Sequence, residues 1–347
     1  MTEAAPAAVL AIDGGNSKTD VALVAADGTI VGVARGGNTN HQGVGRAAMI
    51  TVLNDLVQAA TAQAGLPSDG PVAQHVSACL AGADLADEEA ELGELIQAQG
   101  WSVTSSVVND TFAVLRAGLN DAGEPGGVGA QRHWGIGVVC GAGVNCVGVA
   151  PDGRTTRFLA LGQISGDWGG GGDLGPEALW WAARAEDGRG PETKLRAAVP
   201  AHFGVERVED VVLGLYFGKI NYDQLHGLVP VLYKVASNGD QVARSVVLRL
   251  ADEVSTMATV AATRLGLTDG QDTRYPVPVV LGGGLLTARD PLLTGAIHSQ
   301  LAEAIPGADV RIADVAPIAG AALLGLDHVG APPAAAARLR KSAAATW

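Results

Sequence analysis

The feature that most constrains the fold of this chain is a glycine-tipped apolar hairpin that occurs twice. The apolar run at residues 8–12 ends in an acid, Asp13, and a turn of small residues, Gly14-Gly15-Asn16-Ser17-Lys18-Thr19. A second apolar run, residues 21–25, closes on Asp27-Gly28. From Gly135 the design returns: apolar 138–140, the turn Gly141-Ala142-Gly143, apolar 146–150, then Asp152-Gly153. Two apolar runs joined by a short glycine turn predict a β-hairpin. Small residues at its tip let backbone N–H groups approach an anion. One such tip in each half predicts a duplicated domain gripping a phosphate chain from both sides, and with it a phosphotransferase.

A chain of 347 residues is long for one core and suits two domains of ordinary size. The polar, glycine-rich connector 120–131 marks the boundary, giving an N-terminal domain 1–120 and a C-terminal domain 121–330. The Ala/Pro-rich tail 331–347 is expected to be loosely held. Strands are expected at 29–34, 76–80, 103–108, 277–281 and 310–313. Helices are expected at 44–64 with Gly65 as its cap, 86–99, 111–117, 176–186, 212–237 with interruptions, 241–265 and 316–326. Their alternation gives an α/β fold class in both halves.

Lys and Arg number 23 against 36 Asp and Glu, a balance that argues against nucleic acid and anionic membrane surfaces as partners. The uncharged run 135–151 is long enough for a membrane helix, but its glycines fit strand–turn–strand better. Cys79, Cys140 and Cys146 sit in apolar segments without metal-binding spacing and read as buried core residues. Few cysteines and no N-terminal basic-plus-apolar signal give a cytoplasmic protein as the expectation.

Asp13 stands where a carboxylate can hold Mg²⁺ through water while Gly14 to Thr19 wrap phosphates; the alternative is a turn-capping aspartate. The turn Gly141-Ala142-Gly143-Val144-Asn145 is not a dinucleotide fingerprint, since Cys146 stands where the sixth-position glycine is needed. Nor do Lys18-Thr19, which follow Ser17, make a Walker A loop. Asp110, at a strand end and a helix start, either caps the helix or accepts a proton from a substrate hydroxyl. Asn40 and His41 lie in a small-residue loop where side-chain amides suit sugar hydroxyls. The stretch from Gly166 to Glu177 places four glycines between Asp167 and Asp173, with Pro176 expected at the first helical position. Its carboxylates Asp167, Asp173 and Glu177 favour a cationic or hydroxyl-rich ligand. Gly282-Gly283-Gly284 follows a strand, at the end of an α/β sheet where ligands bind.

Together these residues resemble the superfamily of sugar kinases, heat-shock ATPases and actin, and within it the BadF/BadG/BcrA/BcrD-type ATPase family, which includes N-acetylglucosamine kinases. The resemblance runs from Ala8 to about Gly330. It rests on residues 13–19 as the first phosphate motif, 141–145 as the second and 282–284 as the adenosine motif. Thr39-Asn40-His41 resembles the sugar-contacting loop and Asn109-Asp110 the catalytic aspartate. Gly172-Asp173-Leu174-Gly175 resembles a Gly-Asp-Glu-Gly element whose glutamate is Leu174 here. That variant loop is similar to the one in actinobacterial glucosamine kinases.

The resemblance implies two actin-like, ribonuclease H-like domains with a cleft between them, ATP and Mg²⁺ as cofactors, and a small amino sugar as partner. It implies glucosamine 6-phosphorylation with Asp110 as general base, and N-acetylglucosamine kinase as the alternative. A non-sugar ATPase of the same family is a further alternative, disfavoured because its iron–sulfur cluster needs exposed cysteines. A homodimer stays open.

Overall fold

The computed structural model describes residues 6–67, 69–127, 133–268 and 275–347, so the last part of the expected connector, 128–131, lies outside the described residues. Two mixed five-stranded sheets carry the fold. In the first, β1 (Ala7–Gly14), β2 (Thr19–Val24), β3 (Ile30–Gly36), β4 (Ala73–Leu80) and β5 (Ser102–Asn109) lie in the order β3-β2-β1-β4-β5. In the second, β6 (Gly135–Cys140), β7 (Val144–Val149), β8 (Thr155–Arg157), β9 (Val277–Gly282) and β10 (Ala308–Ile312) lie in the order β10-β9-β6-β7-β8. Each has an antiparallel meander of its first three strands and two further strands added in parallel beside the first. The duplication expected from the two glycine hairpins is thus present at the level of topology. The fold class is α/β.

The apolar runs explain themselves by burial. Val9, Leu10, Ala11 and Ile12 of β1 are fully buried on both faces, as a central strand covered on each side must be. One face of the first sheet packs on the helix Arg46–Ala64, ended by Gly65 in the left-handed region, and on the helix Ala86–Gln97. The other face receives the helix Pro317–His328, whose Ile318, Ala322, Leu323 and Leu326 join Val9 and Ala11. The helix that follows β5, Asp110–Gly118, instead lies against the second sheet, with Val114 and Leu115 beside Val147 and Val280. Each half therefore sends its closing helix to the other. The helix Gln241–Arg264 and the helices at 171–237 enlarge the second core.

Three expectations need correction. The tail is not loosely held: Pro333–Thr346 is a helix whose Ala335, Ala336, Leu339 and Ala343 are buried. It reads as disordered because alanine gives little amphipathic contrast, yet a Cβ on Gly28 would lie 1.9 Å from the Ala335 carbonyl oxygen, so the contact is made by small residues. The helix expected to begin with Pro176 begins at Gly171, with Pro176 inside it. That position lacks the N–H that would reach the Gly172 carbonyl. The four glycines are accordingly a packed helix start. The helix expected from Val44 is two, His41–Val44 and Arg46–Ala64, separated at Gly45 by a φ of 82°. All three cysteines are buried, as expected. Among the described residues, no helix is long and apolar enough to cross a membrane.

Candidate active site

The carboxyl ends of β1, β4 and β5 form one edge of the first sheet, and three acids gather there. Register sets them: Asp13 pairs with Cys79 of β4, and Leu80 of β4 pairs with Asn109 of β5. Asp110 therefore follows at the same level, and Asp84 lies just beyond β4. The helix after β5 is capped by Asn109, whose Oδ1 accepts the Thr111 N–H at 2.9 Å. Asp110 occupies the first helical position, so the capping duty that would have explained it structurally belongs to its neighbour.

These acids are burdened by burial and by one another. Burial, then the charges of Asp110 and Asp20, pushes Asp13 up to about 7. Burial and the Asp110 and Glu88 charges push Asp84 up to about 7. Burial raises Asp110 to about 6 against the backbone N–H groups of Thr111 and Asp110, which favour its charged form. By contrast, the neighbouring Asp20 is paired with the Arg35 guanidinium at 2.6 and 3.2 Å and with Lys18 at 3.3 Å. Uncompensated carboxylates at the mouth of a sheet are what a divalent cation would neutralise. Among the described residues no group of three or more His, Cys, Asp or Glu could hold a metal. Asp13 fits the single-carboxylate, water-rich site that Mg²⁺ tolerates.

The first glycine turn is tight, Gly15 N–H donating to the Lys18 carbonyl at 3.0 Å, and it exposes Asn16, Ser17 and Lys18. Thr19 is buried, its hydroxyl committed to the Gly37 carbonyl at 2.8 Å and to Thr39 Oγ1 at 2.7 Å. Asn40 joins this turn to the loop that follows β3: its Nδ2 donates to Asn16 Oδ1 at 2.6 Å, and its Oδ1 accepts the Gln42 N–H. His41 Nε2 stands 3.7 Å from Glu88 Oε1, and its Nδ1 is buried without a protein partner.

The second turn is built from the opposite side. The Gly171 and Gly172 N–H groups donate to the carbonyls of Gly141 and Ala142 at 2.8 and 2.9 Å. A Cβ on Gly170, at φ 79°, would lie 2.4 Å from the Ala142 oxygen. Gly283, at φ 83°, lies equally close on Cys140, bringing the Gly282-Gly283-Gly284 turn to the same place. A Cβ on Gly141, Gly143 or Gly284 would meet nothing within 4 Å, so the space beside these three is open. Asn145 ties the second turn to the end of β5, donating to Asn109 Oδ1 at 3.2 Å.

The acidic loop is more engaged than its sequence suggests. Asp173 accepts from Gln163 Nε2 at 3.0 Å and from the Gly169 N–H at 2.9 Å. Glu177 accepts from Trp181 Nε1 at 3.0 Å, and Asp167 from Ser165 Oγ at 2.5 Å. Asp167 alone of the three lines a cavity of about 360 Å³ between the halves, with Asp84, Leu85, Arg157, Phe158 and Arg264. A larger cavity of about 890 Å³ lies away from the three acids, among Glu186, Arg196 and Glu206. Sequence reasoning missed Asp84 and Arg157. Asp84 does follow a buried strand through Ala81-Gly82-Ala83, the same place at a strand end that singled out Asp13 and Asp110. Arg157 sits on a three-residue strand with no pattern to read.

With this geometry in place, the sequence profile of the BadF/BadG/BcrA/BcrD ATPase family matches residues 10–325. The chain belongs to that family. Relatives include an N-acetyl-D-glucosamine kinase of Dictyostelium discoideum, 23% identical over 92% of this chain and 97% of that protein. An N-acetylmuramic acid/N-acetylglucosamine kinase of Clostridium acetobutylicum is 27% identical over 71% of this chain and 76% of its own length. Among solved structures, a candidate N-acetylglucosamine kinase from Chromobacterium violaceum superposes with a TM-score of 0.66. It is 25% identical and covers 92% of this chain and 98% of its own. The two-domain actin-like architecture is therefore that of the family.

Proposed function

We propose that this protein is an ATP-dependent kinase that phosphorylates the 6-hydroxyl of an amino sugar. The observation that carries the reading is the juxtaposition of Asp110, which its neighbour Asn109 relieves of capping and burial raises to about 6, with Asp13 beside the first glycine turn and with Asn145, at the second, bonded to Asn109. In this reading residues 1–120 hold the sugar through Asn40 and His41 and the first phosphate turn, Gly14 to Thr19. Residues 121–330 supply the second turn, Gly141, Ala142, Gly143 and Asn145, and the adenosine turn, Gly282 to Gly284. Asp13 would hold Mg²⁺, which when bound offsets phosphate charge. Asp110 takes the proton of the sugar hydroxyl as that oxygen bonds to the γ-phosphorus and the bond to the ADP oxygen breaks. A carboxylate near 6 is largely ionised at neutral pH yet still basic enough for the task. Closure of the halves excludes water, the competing acceptor.

The names of the relatives favour N-acetylglucosamine as substrate. Glucosamine is the second reading, supported by Leu174, which stands where the resembled sugar-contacting element has a glutamate, and by Asp167 and Asp84, which with Arg157 and Arg264 line the cavity between the halves. An amine would pair with such carboxylates, whereas an acetamide would not need them. The test is ADP release from Mg²⁺-ATP with N-acetylglucosamine, glucosamine, glucose and no sugar. Turnover on one amino sugar supports the kinase and names the substrate; ADP release indifferent to sugar overturns it. The Asp110→Asn variant is expected to lose roughly 10²–10⁴-fold in turnover while keeping ATP affinity.

A further inference from the structure

One ion pair crosses between the halves beside Asp110. Arg157, at the end of β8 in the second sheet, donates from Nη2 to Glu89 Oε2 at 2.9 Å, and Glu89 stands in the first turn of the helix Ala86–Gln97. The other oxygen of Glu89 accepts the backbone N–H of Asn109 at 2.9 Å. The same guanidinium lies over the Phe112 ring, 5.7 Å from its centroid, two residues past Asp110. Asn109 is further held by Asp84, which accepts from its Nδ2 at 2.8 Å, and by Asn145. The peptide that carries Asp110 is thus fixed at its start by Glu89 and flanked by Arg157. Two of its restraints lead directly to the second half.

From this we infer that Arg157 and Glu89 are positioning residues that couple the approach of the second half to the orientation of Asp110. The inference rests on Asp110 acting as the base. With Arg157 in place, Glu89 is neutralised and locked onto the Asn109 N–H. Without it, Glu89 is one more uncompensated carboxylate near Asp84 and Glu88, and the restraint on Asn109 loosens. Base position then becomes a consequence of domain approach, so the hydroxyl is activated chiefly when the nucleotide half has arrived.

The test is steady-state kinetics of the full chain, with the amino sugar that the wild type turns over, for Arg157→Met, Arg157→Lys, Glu89→Gln and Glu89→Gln/Arg157→Met. Arg157→Met should lower kcat roughly 10- to 100-fold, the cost of a misplaced catalytic group, while the KM for ATP stays within about twofold. Arg157→Lys should recover most of that loss, and the double variant should be no slower than Arg157→Met, because the two side chains act as a unit. Wild-type kcat in Arg157→Met, or losses that multiply in the double variant, would overturn the inference. Asp110→Asn run in parallel separates the two claims. If it is inactive while Arg157→Met is normal, only the positioning role fails; if it is active, the base assignment fails and the coupling with it. Should Arg157→Met not fold, Arg157→Lys and Glu89→Gln carry the same comparison.

Discussion

The turn between β1 and β2 and the turn between β6 and β7 hold equivalent places in two sheets of one topology, but they are built differently. The first stands among Asp13, Asp20, Asp84 and Asp110, of which only Asp20 is paired with cations. The second, Gly141-Ala142-Gly143, has no ionisable side chain and is held in shape by the start of the helix Gly171–Glu186 docking onto its carbonyls. Duplication has supplied two glycine turns of one topology, and in the proposed function the first carries the charge and the second the placement. A charge-bearing turn should respond to isosteric neutralisation. A placement turn should respond to steric change.

The largest effect is expected at the first turn. Asp13→Asn keeps the shape of the side chain but removes the charge that would hold Mg²⁺, and turnover should fall on the order of 10²-fold or more, the scale of losing one preorganised electrostatic group. Added Mg²⁺ titrated against ATP turnover checks it, since a requirement for much higher Mg²⁺ identifies the lost ligand. The second turn should give the converse. Gly170 combines φ 79° with ψ 177°, a conformation nearly confined to glycine, and abuts the Ala142 oxygen. Gly170→Ala should cost about 1–3 kcal/mol from backbone strain alone. Its signature is a lowered unfolding midpoint, with any residual activity keeping the wild-type Mg²⁺ dependence. If Gly170→Ala instead changed Mg²⁺ dependence at full stability, the division between the turns would be wrong.

The legibility of the two regions differs for the same reason. Hairpin positions, the strand-end acids Asp13 and Asp110, and the buried cysteines could be read from the sequence, because apolar runs broken by glycine and acid follow from local rules. The acidic loop is only partly legible: its carboxylates suggest a ligand, whereas Gly170 and Gly175 are small because the Ala142 and Leu225 carbonyls lie against them. Close approach by a distant backbone leaves no local mark. Arg157 and Glu89 are unreadable for a like cause, since residues 68 positions apart meet only through the arrangement of the two sheets. Pro176 was placed by a preference for helix starts that the helix satisfied one turn earlier, with glycine.

A pH dependence sharpens the comparison further. Asp13 and Asp84 at about 7 and Asp110 at about 6 all lie above the ordinary aspartate value of 3.8. The folded protein therefore holds protons that the unfolded chain has released, so stability falls as pH rises from about 4 to 7 and levels off above. His75, lowered to about 4 by burial and by the stacked His328, acts oppositely, adding stability as pH rises through the same acid range up to the ordinary histidine value of 6.5. Three acids outweigh one histidine, so the ligand-free protein should melt several degrees lower at pH 8 than at pH 5.5. Asp13→Asn should flatten the slope, whereas Asn145→Ala at the second turn should leave it unchanged. A slope insensitive to Asp13→Asn would mean that the first turn is not the strained one.

The smallest effect is expected at the tail helix, which is last in sequence but belongs to the first half in space. Arg340 donates to the carbonyls of Arg116 and Leu119 at 3.3 and 2.7 Å, to that of Ala117, and to Asp121 at 2.6 Å. It thus closes the C-terminus of the helix that begins with Asp110, where unpaired carbonyls and the negative end of the dipole favour a cation. Arg340→Met keeps the aliphatic stem and removes the donors, and should cost about 1–2 kcal/mol, the scale of a charge-assisted contact that is partly exposed. Because Asn109 anchors the other end of that helix independently, turnover below the new melting temperature should stay within about twofold of wild type. A larger loss of kcat at unchanged stability would show that the helix transmits its C-terminal anchor to Asp110. The placement of the base would then depend on the tail as well as on the two turns.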